Sequence, residues 1–181
     1  MKDHPMTIGQ EWSTIVKAFT INELSIEEKE KLFESQKSKD SSDTSKLKRY
    51  TCDALKTNKE EFLKIYEEFK NPNNEQSTTV KEALKAGWLS TVHEDWLLEL
   101  KPKYFTDIVE ASKNLKGDHL EFFAIHLEPI DDDLEATIKG YEGIKLEGEK
   151  FDKLKRDFLK IIDNLKRRRR AYAKFEEKAN L

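Results

Sequence analysis

The stretch Thr57-Asn58-Lys59-Glu60-Glu61-Phe62-Leu63-Lys64-Ile65-Tyr66-Glu67-Glu68-Phe69-Lys70 decides the fold class. Phe62, Ile65, Tyr66 and Phe69 stand at i, i+3, i+4 and i+7, the spacing of one helical face and not the alternation of a strand. Thr57 with Glu60 reads as a capping box, in which the cap hydroxyl takes the N3 amide and the N3 carboxylate takes the cap amide. Asn71-Pro72-Asn73-Asn74 then closes the segment as a turn.

The same grammar extends outward in both directions. Thr7 with Gln10 opens a helix bearing Trp12, Ile15, Val16 and Phe19, and Ser25 with Glu28 opens another to about Lys37. After the polar loop Ser38 to Asp43 comes a face of Leu47, Tyr50, Thr51, Ala54 and Leu55. A short helix with Val80, Ala83 and Leu84 is expected to end at Gly87 as its C′ residue. Trp96, Leu97 and Leu100 mark one helix, and Pro102 is placed in the first turn of the next, which carries Phe105, Ile108 and Leu115. Asp118 is expected to cap an apolar helix through Phe122 and Phe123 that lies at the centre of the core and stops at Pro129. Asp131 caps a short helix to about Lys139, Gly140 to Gly148 form a flexible connection, and a long helix runs from about Glu149 to Lys178. The predicted fold is all-α: about ten helices in one domain over residues 1–181. Helices this short, in series, suggest an irregular α-solenoid of antiparallel pairs of the HEAT and armadillo kind, ending in one long helix; a compact bundle is the competing arrangement.

Composition supports the helical reading and excludes several classes of function. Of 181 residues, 38% are charged, against a usual ~25%. The 33 basic and 36 acidic residues leave a net charge of only −3, so the broad basic field of a general nucleic-acid binder is missing. Six glycines and four prolines are few for a chain of this length. No apolar run reaches the roughly 18 residues of a membrane-spanning helix. Met1 to Met6 has no apolar signal segment, and the single cysteine, Cys52, cannot form an internal disulfide, so a cytoplasmic location is expected.

Motifs for chemistry are sparse. His93-Glu94-Asp95-Trp96-Leu97 begins like the zinc motif H-E-x-x-H, but Leu97 stands where the second histidine is required. His4 sits near the start of the chain, and His119 and His126 are seven residues apart, too far for chelation from adjacent turns. Cys52 has no neighbouring base, and Asp131-Asp132-Asp133 reads as acidic residues at a helix start. No phosphate-binding glycine loop or nucleophile elbow occurs. The chain is therefore expected to hold no catalytic residue, metal or cofactor. The least ordinary feature is Lys166-Arg167-Arg168-Arg169-Arg170 in the last helix. Phe151, Leu154, Phe158, Ile161, Leu165, Tyr172 and Phe175 alternate by threes and fours, and Arg168 falls on that seam. Arg168 is then either paired inside an interface or the point where the helix leaves the core. The basic run itself is a solvated helix end, a contact to an acidic surface of another domain or partner, or, least favoured, a nucleic-acid contact.

Several segments together resemble one family. Leu98-Glu99-Leu100-Lys101-Pro102-Lys103-Tyr104-Phe105 resembles, in shortened form, an E-L-x-x-P-Y-x-x-K-Y-F stretch. Phe122-Phe123-Ala124-Ile125-His126-Leu127-Glu128-Pro129 resembles an F-x-x-x-L-Y-P pattern, and Asp163, Leu165 and Arg167 are similar to a final D-x-L-x-R-A helix. Asp40 to Thr44 and Gly87-Trp88 resemble a D-x-T turn and a G-F turn. These are features of the C-terminal helical domain of aminopeptidase N-type zinc metallopeptidases, the family of the puromycin-sensitive and endoplasmic-reticulum enzymes. The resemblance covers about residues 20–175; the first 20 residues match nothing in it, and Gly140 to Gly148 is longer and more polar. It implies a HEAT-like solenoid that closes over a catalytic domain and shapes peptide access. The zinc ligands and the G-A-M-E-N motif belong to earlier domains and do not occur here. The resemblance thus implies a C-terminal fragment of a larger enzyme, with zinc in the parent, and the parent's catalytic domain and peptide substrates as partners. A free-standing protein-binding solenoid using Lys166 to Arg170 is the alternative.

Overall fold

The computed structural model describes residues 7–128 and 133–179, the last four as backbone only; the readings at His4, Pro129, Asp131 and Asp132 lie outside the described residues. Among the described residues every regular element is helical, and no helix is long and apolar enough to cross a membrane. The chain forms two compact units, one comprising residues up to Phe69 with Asn73–Glu94, the other Lys70–Pro72 with the residues from Asp95 onward.

The first unit contains α1 (Ile8–Phe19), α2 (Ile26–Lys37), α3 (Asp43–Leu55), α4 (Lys59–Lys70, whose last residue belongs to the other unit) and α5 (Thr78–Trp88), followed by a 3₁₀ turn at Thr91–His93. Two capping boxes form where the sequence places them. The Gln10 amide donates to Thr7 Oγ1 at 3.3 Å while the Thr7 amide donates to Gln10 Oε1 at 2.8 Å; Ser25 and Glu28 repeat the exchange. The third box sits one residue later than Thr57 and Glu60. The Glu61 amide donates to Asn58 Oδ1 at 3.0 Å, and the Asn58 amide to Glu61 Oε2 at 3.1 Å. The Thr57 hydroxyl instead donates to the Ala54 carbonyl at 2.9 Å, satisfying an open acceptor at the end of α3. Asn caps a helix at least as well as Thr, so the shift costs nothing.

Two aromatic groups build this unit. Trp12, Phe19, Phe33, Cys52 and Leu55 form one cluster, with the Trp12 and Phe33 rings 5.2 Å apart. Trp88 forms the other, stacking on Phe62 at 4.7 Å and on Tyr66 at 5.7 Å, with its indole N–H donating to the Phe62 carbonyl at 3.0 Å. The helix expected to stop at Gly87 continues through it. A Cβ at Gly87 would lie 2.3 Å from the Thr51 carbonyl oxygen and 2.9 Å from Ala54 Cβ. The glycine serves close approach of α5 to α3, not a turn, and the Thr51 hydroxyl uses that proximity to donate to the Ala83 carbonyl at 2.9 Å.

The second unit contains α6 (Glu94–Ala111, of which Glu94 belongs to the first unit), α7 (Gly117–Glu121) running into a π turn at Phe122–His126, α8 (Leu134–Gly143), a 3₁₀ turn at Glu149–Phe151 and α9 (Asp152–Ala179). Pro102 lies inside α6 rather than at a helix start. Interior proline costs about 3 kcal/mol. Leu97, Leu100, Lys101, Tyr104, Asp107, Ile108 and Ala111 form one uninterrupted buried stripe that offsets it. Asp118 lies within the first turn of α7 instead of capping it. Phe123, Ala124 and Leu127 are fully buried, as the all-round apolar pattern predicts. Helix α8 runs through Gly140 to Gly143, past the expected stop at Lys139; Gly140 serves close packing inside the helix, since a Cβ there would lie 2.4 Å from the Phe105 ring.

Gly87→Ala is expected to lower stability by about 1–3 kcal/mol, the cost of overpacking a closed contact. Gly143→Ala, where a Cβ meets nothing within 4 Å, is expected to leave stability unchanged or raise it by up to about 1 kcal/mol. Urea unfolding midpoints of the two variants read the difference.

Candidate functional site

The sequence singles out the end of α9, and its backbone explains how those residues are presented. Phe151, Leu154, Phe158, Ile162 and Leu165 are buried against the rest of their unit. Ile162 takes the fully buried place on this stripe, and Ile161 is half-buried. The stripe's rhythm continues through Arg168, Tyr172 and Phe175, but its burial does not. Every residue from Arg167 to Phe175 is exposed, with Tyr172 at 55% and Phe175 at 77%. Arg168 therefore marks the point where the helix leaves the core.

The five cations divide into two sets. Lys166 Nζ pairs with Glu142 of α8 at 2.7 Å, Arg169 pairs with Glu135 of α8, and Arg167 pairs with Asp163 one turn back at 2.6 Å. Exposed pairs of this kind each contribute about 0–1 kcal/mol, so they orient the side chains more than they hold the fold. Among the described residues no carboxylate pairs with Arg168 or Arg170; Arg170 Nε donates only to the Lys166 carbonyl, at 3.3 Å. Among the described residues Arg168 is thus an uncommitted guanidinium group in line with two exposed aromatic rings, Tyr172 and Phe175, while Arg170 lies about half a turn round the helix from them.

The remaining candidates are structural. His93 is buried, its Nε2–H donates to the Ala54 carbonyl at 2.9 Å, and its ring lies 5.3 Å from Phe62. Burial lowers its pKa, so it is held as the neutral tautomer. His119 and His126 are exposed and on successive segments of the second unit. Among the described residues no three His, Cys, Asp or Glu side chains converge as metal ligands. Asp133, the described member of the acidic run, caps α8 by accepting the Ala136 amide at 2.9 Å. Cys52 is fully buried, and desolvation, reinforced by Asp53, pushes its thiol up to about 12.

Two polar clusters escaped the sequence reading. In the first unit Glu30 accepts from Arg49 at 2.6 Å and Lys56 at 2.5 Å, and Asp53 joins both cations. Partial burial alone would raise the Glu30 pKa; the bonds from Arg49 and Lys56 outweigh it and hold the carboxyl below its usual range. In the second unit the Tyr104 hydroxyl donates to the Phe123 carbonyl at 3.1 Å, and Tyr141 donates to Glu128 at 3.0 Å. Tyr104 thus takes a carbonyl of the π turn, and burial drives both phenols upward. Such a cluster fixes a backbone irregularity; it offers no open space for a substrate. No spacing rule joins residues 30 and 49, or 104 and 123, before the fold does.

No family model, curated protein or solved structure matches the chain.

Two outcomes follow from these environments. A thiol-disulfide reagent at pH 8 is expected to leave Cys52 unlabelled in the folded chain and to label it fully in urea, read by absorbance of the released thiolate. The depressed Glu30 pKa contributes stability that is present above the unfolded value of 4.5 and is lost as pH falls through the lower folded value. Glu30→Gln is expected to cost about 1 kcal/mol at pH 7 and to flatten the loss of stability below pH ~4.5, measured by urea titrations at successive pH values.

Proposed function

We propose that this chain is a non-catalytic protein-binding module, an irregular α-solenoid whose docking surface is the end of α9. The observation that carries the reading is the break at Arg168: a buried stripe becomes an exposed one without losing its period, and Arg168, on that stripe, has no carboxylate partner among the described residues. An exposed aromatic pair flanked by arginine is the composition of an interface hot spot. The partner it fits presents carboxylates beside an apolar strip. In the aminopeptidase reading, which rests on the sequence resemblance, that partner is the catalytic domain of the same polypeptide, zinc is held there, and the solenoid limits peptide entry. In the free-standing reading it is a separate protein. A cytoplasmic location belongs to this proposal and is supported by the lone buried thiol.

The test uses the full chain and a synthetic helical peptide with a leucine stripe flanked by glutamates. Saturable binding that weakens with salt is expected, because the arginines act by charge. Tyr172→Ala with Phe175→Ala is expected to weaken it more than tenfold, since burying an aromatic side chain is worth about 1.5–3 kcal/mol. Arg168→Glu with Arg170→Glu is expected to abolish it. All four residues are exposed, so circular dichroism should be unchanged. Absence of binding at ~50 mM salt, indifference to the charge reversal, or tighter binding to single-stranded RNA would overturn the reading.

A further inference from the structure

The second unit holds a pocket of about 360 Å³ between the end of α6, the helix α7 and the start of α9. Its floor is apolar and comes from three separate segments: Leu115, Leu120, and Phe151 with Leu154, each at most 8% exposed. Its rim is charged. Lys113, Lys116, Lys150 and Lys153 face the opening, with Asp118 and Glu121 as the opposing charges. A volume in the range of roughly 300–1,000 Å³, with an apolar floor and few polar groups at the mouth, is the form of a small-molecule site.

The charge on the rim is unevenly spent. Lys153 is tied to Glu121, with Asp118 adding to the field around it. Lys150 lies over the Phe151 ring at 4.7 Å. Lys113 and Lys116 are exposed and make no ion pair among the described residues. Among the described residues three rim cations, Lys113, Lys116 and Lys150, thus stand without an ion pair against one such carboxylate, Asp118, over a floor that water wets poorly. Lysine ammonium groups attract an anion as point charges, without the planar fork of arginine, and the apolar floor beneath them asks that the anion carry a hydrocarbon tail.

We propose that this pocket binds a medium-chain monocarboxylate, a saturated tail on Leu115, Leu120, Phe151 and Leu154 with its head between Lys113 and Lys116. The site is independent of the end of α9 and uses none of its residues.

Octanoate is titrated into the full chain by isothermal calorimetry at ~50 mM salt, with octanol and octylammonium as isosteric probes. One saturable site for octanoate is expected, with octanol at least tenfold weaker. Reversing both charges removes two attractions and adds two repulsions. Lys113→Glu with Lys116→Glu is therefore expected to weaken octanoate about tenfold or more and to favour octylammonium. Both lysines are exposed, so the variant should keep the wild-type circular dichroism. Amide shifts on octanoate addition are expected at Gly117, Leu120 and Phe151. Arg168→Glu with Arg170→Glu is expected to leave octanoate binding unchanged, which separates this site from the docking surface. Lack of saturable octanoate binding, equal affinity for octanol, an unaffected charge-reversal variant, or shifts confined to other segments would each overturn the proposal.

Discussion

Helices of ten to thirteen residues do not persist alone in water, so each short helix here exists because its apolar stripe finds a partner. In the first unit that requirement concentrates on Trp88. Its ring meets two residues of α4 face to face and a third, Phe69, edge-on at 6.0 Å, and its N–H closes on the Phe62 carbonyl. The neighbouring residue has to be glycine for α5 to come close enough to α3 while Trp88 is seated. Thus one residue without a side chain and one with the largest side chain, adjacent in sequence, set the spacing of α3, α4 and α5. The capping boxes and ion pairs refine ends and angles around that contact.

Helix α9 obeys the opposite logic. At 28 residues it is long enough to persist beyond its packed segment, and it keeps its period after the core stops at Leu165. Glu142 and Glu135 of α8 reach the basic run at its first and fourth residues, Lys166 and Arg169. Past that point nothing in the described residues covers Tyr172 or Phe175. Leaving two large rings in water has no stabilising effect on the unit itself, and their place in phase with the seam is what the proposed docking surface would use.

Much of the architecture was legible because it is local. The caps at Thr7 and Ser25 involve residues three apart, and the Phe62 to Phe69 stripe is a property of one helix. The misreadings share a different origin. Gly87 and Gly140 look like breakers in sequence, but each is the place where another segment, Thr51 or Phe105, lies too near for a Cβ. Pro102 looks like a helix start, but the buried stripe from Leu97 to Ala111 outweighs its local cost. At Thr57 two adjacent cap residues compete, and the carbonyl of Ala54 decides between them. The site divides in the same way. The basic run was visible as a run. The pairing of Arg167 with Asp163 one turn back is local, but those of Lys166 and Arg169 were not legible, because their carboxylates lie on α8, 24 and 34 residues away. The lysine-rimmed pocket was invisible, since its floor is assembled from segments around residues 115, 120 and 151–154.

The chemistry of the α9 end also limits what it can bind. Had Arg168 been leucine or isoleucine, the exposed stripe would be a generally adhesive surface, prone to self-association. A guanidinium group in line with the rings changes that balance. In the proposed docking, burying it against an apolar face would strand its charge, so such partners are disfavoured. A surface that supplies a carboxylate beside an apolar strip would satisfy Arg168 and cover the rings at once. Selectivity would then come from the penalty on wrong partners as much as from attraction to the right one. It would rest on Arg168, which pairs with no carboxylate among the described residues, while Lys166, Arg167 and Arg169 are held aside by Glu142, Asp163 and Glu135.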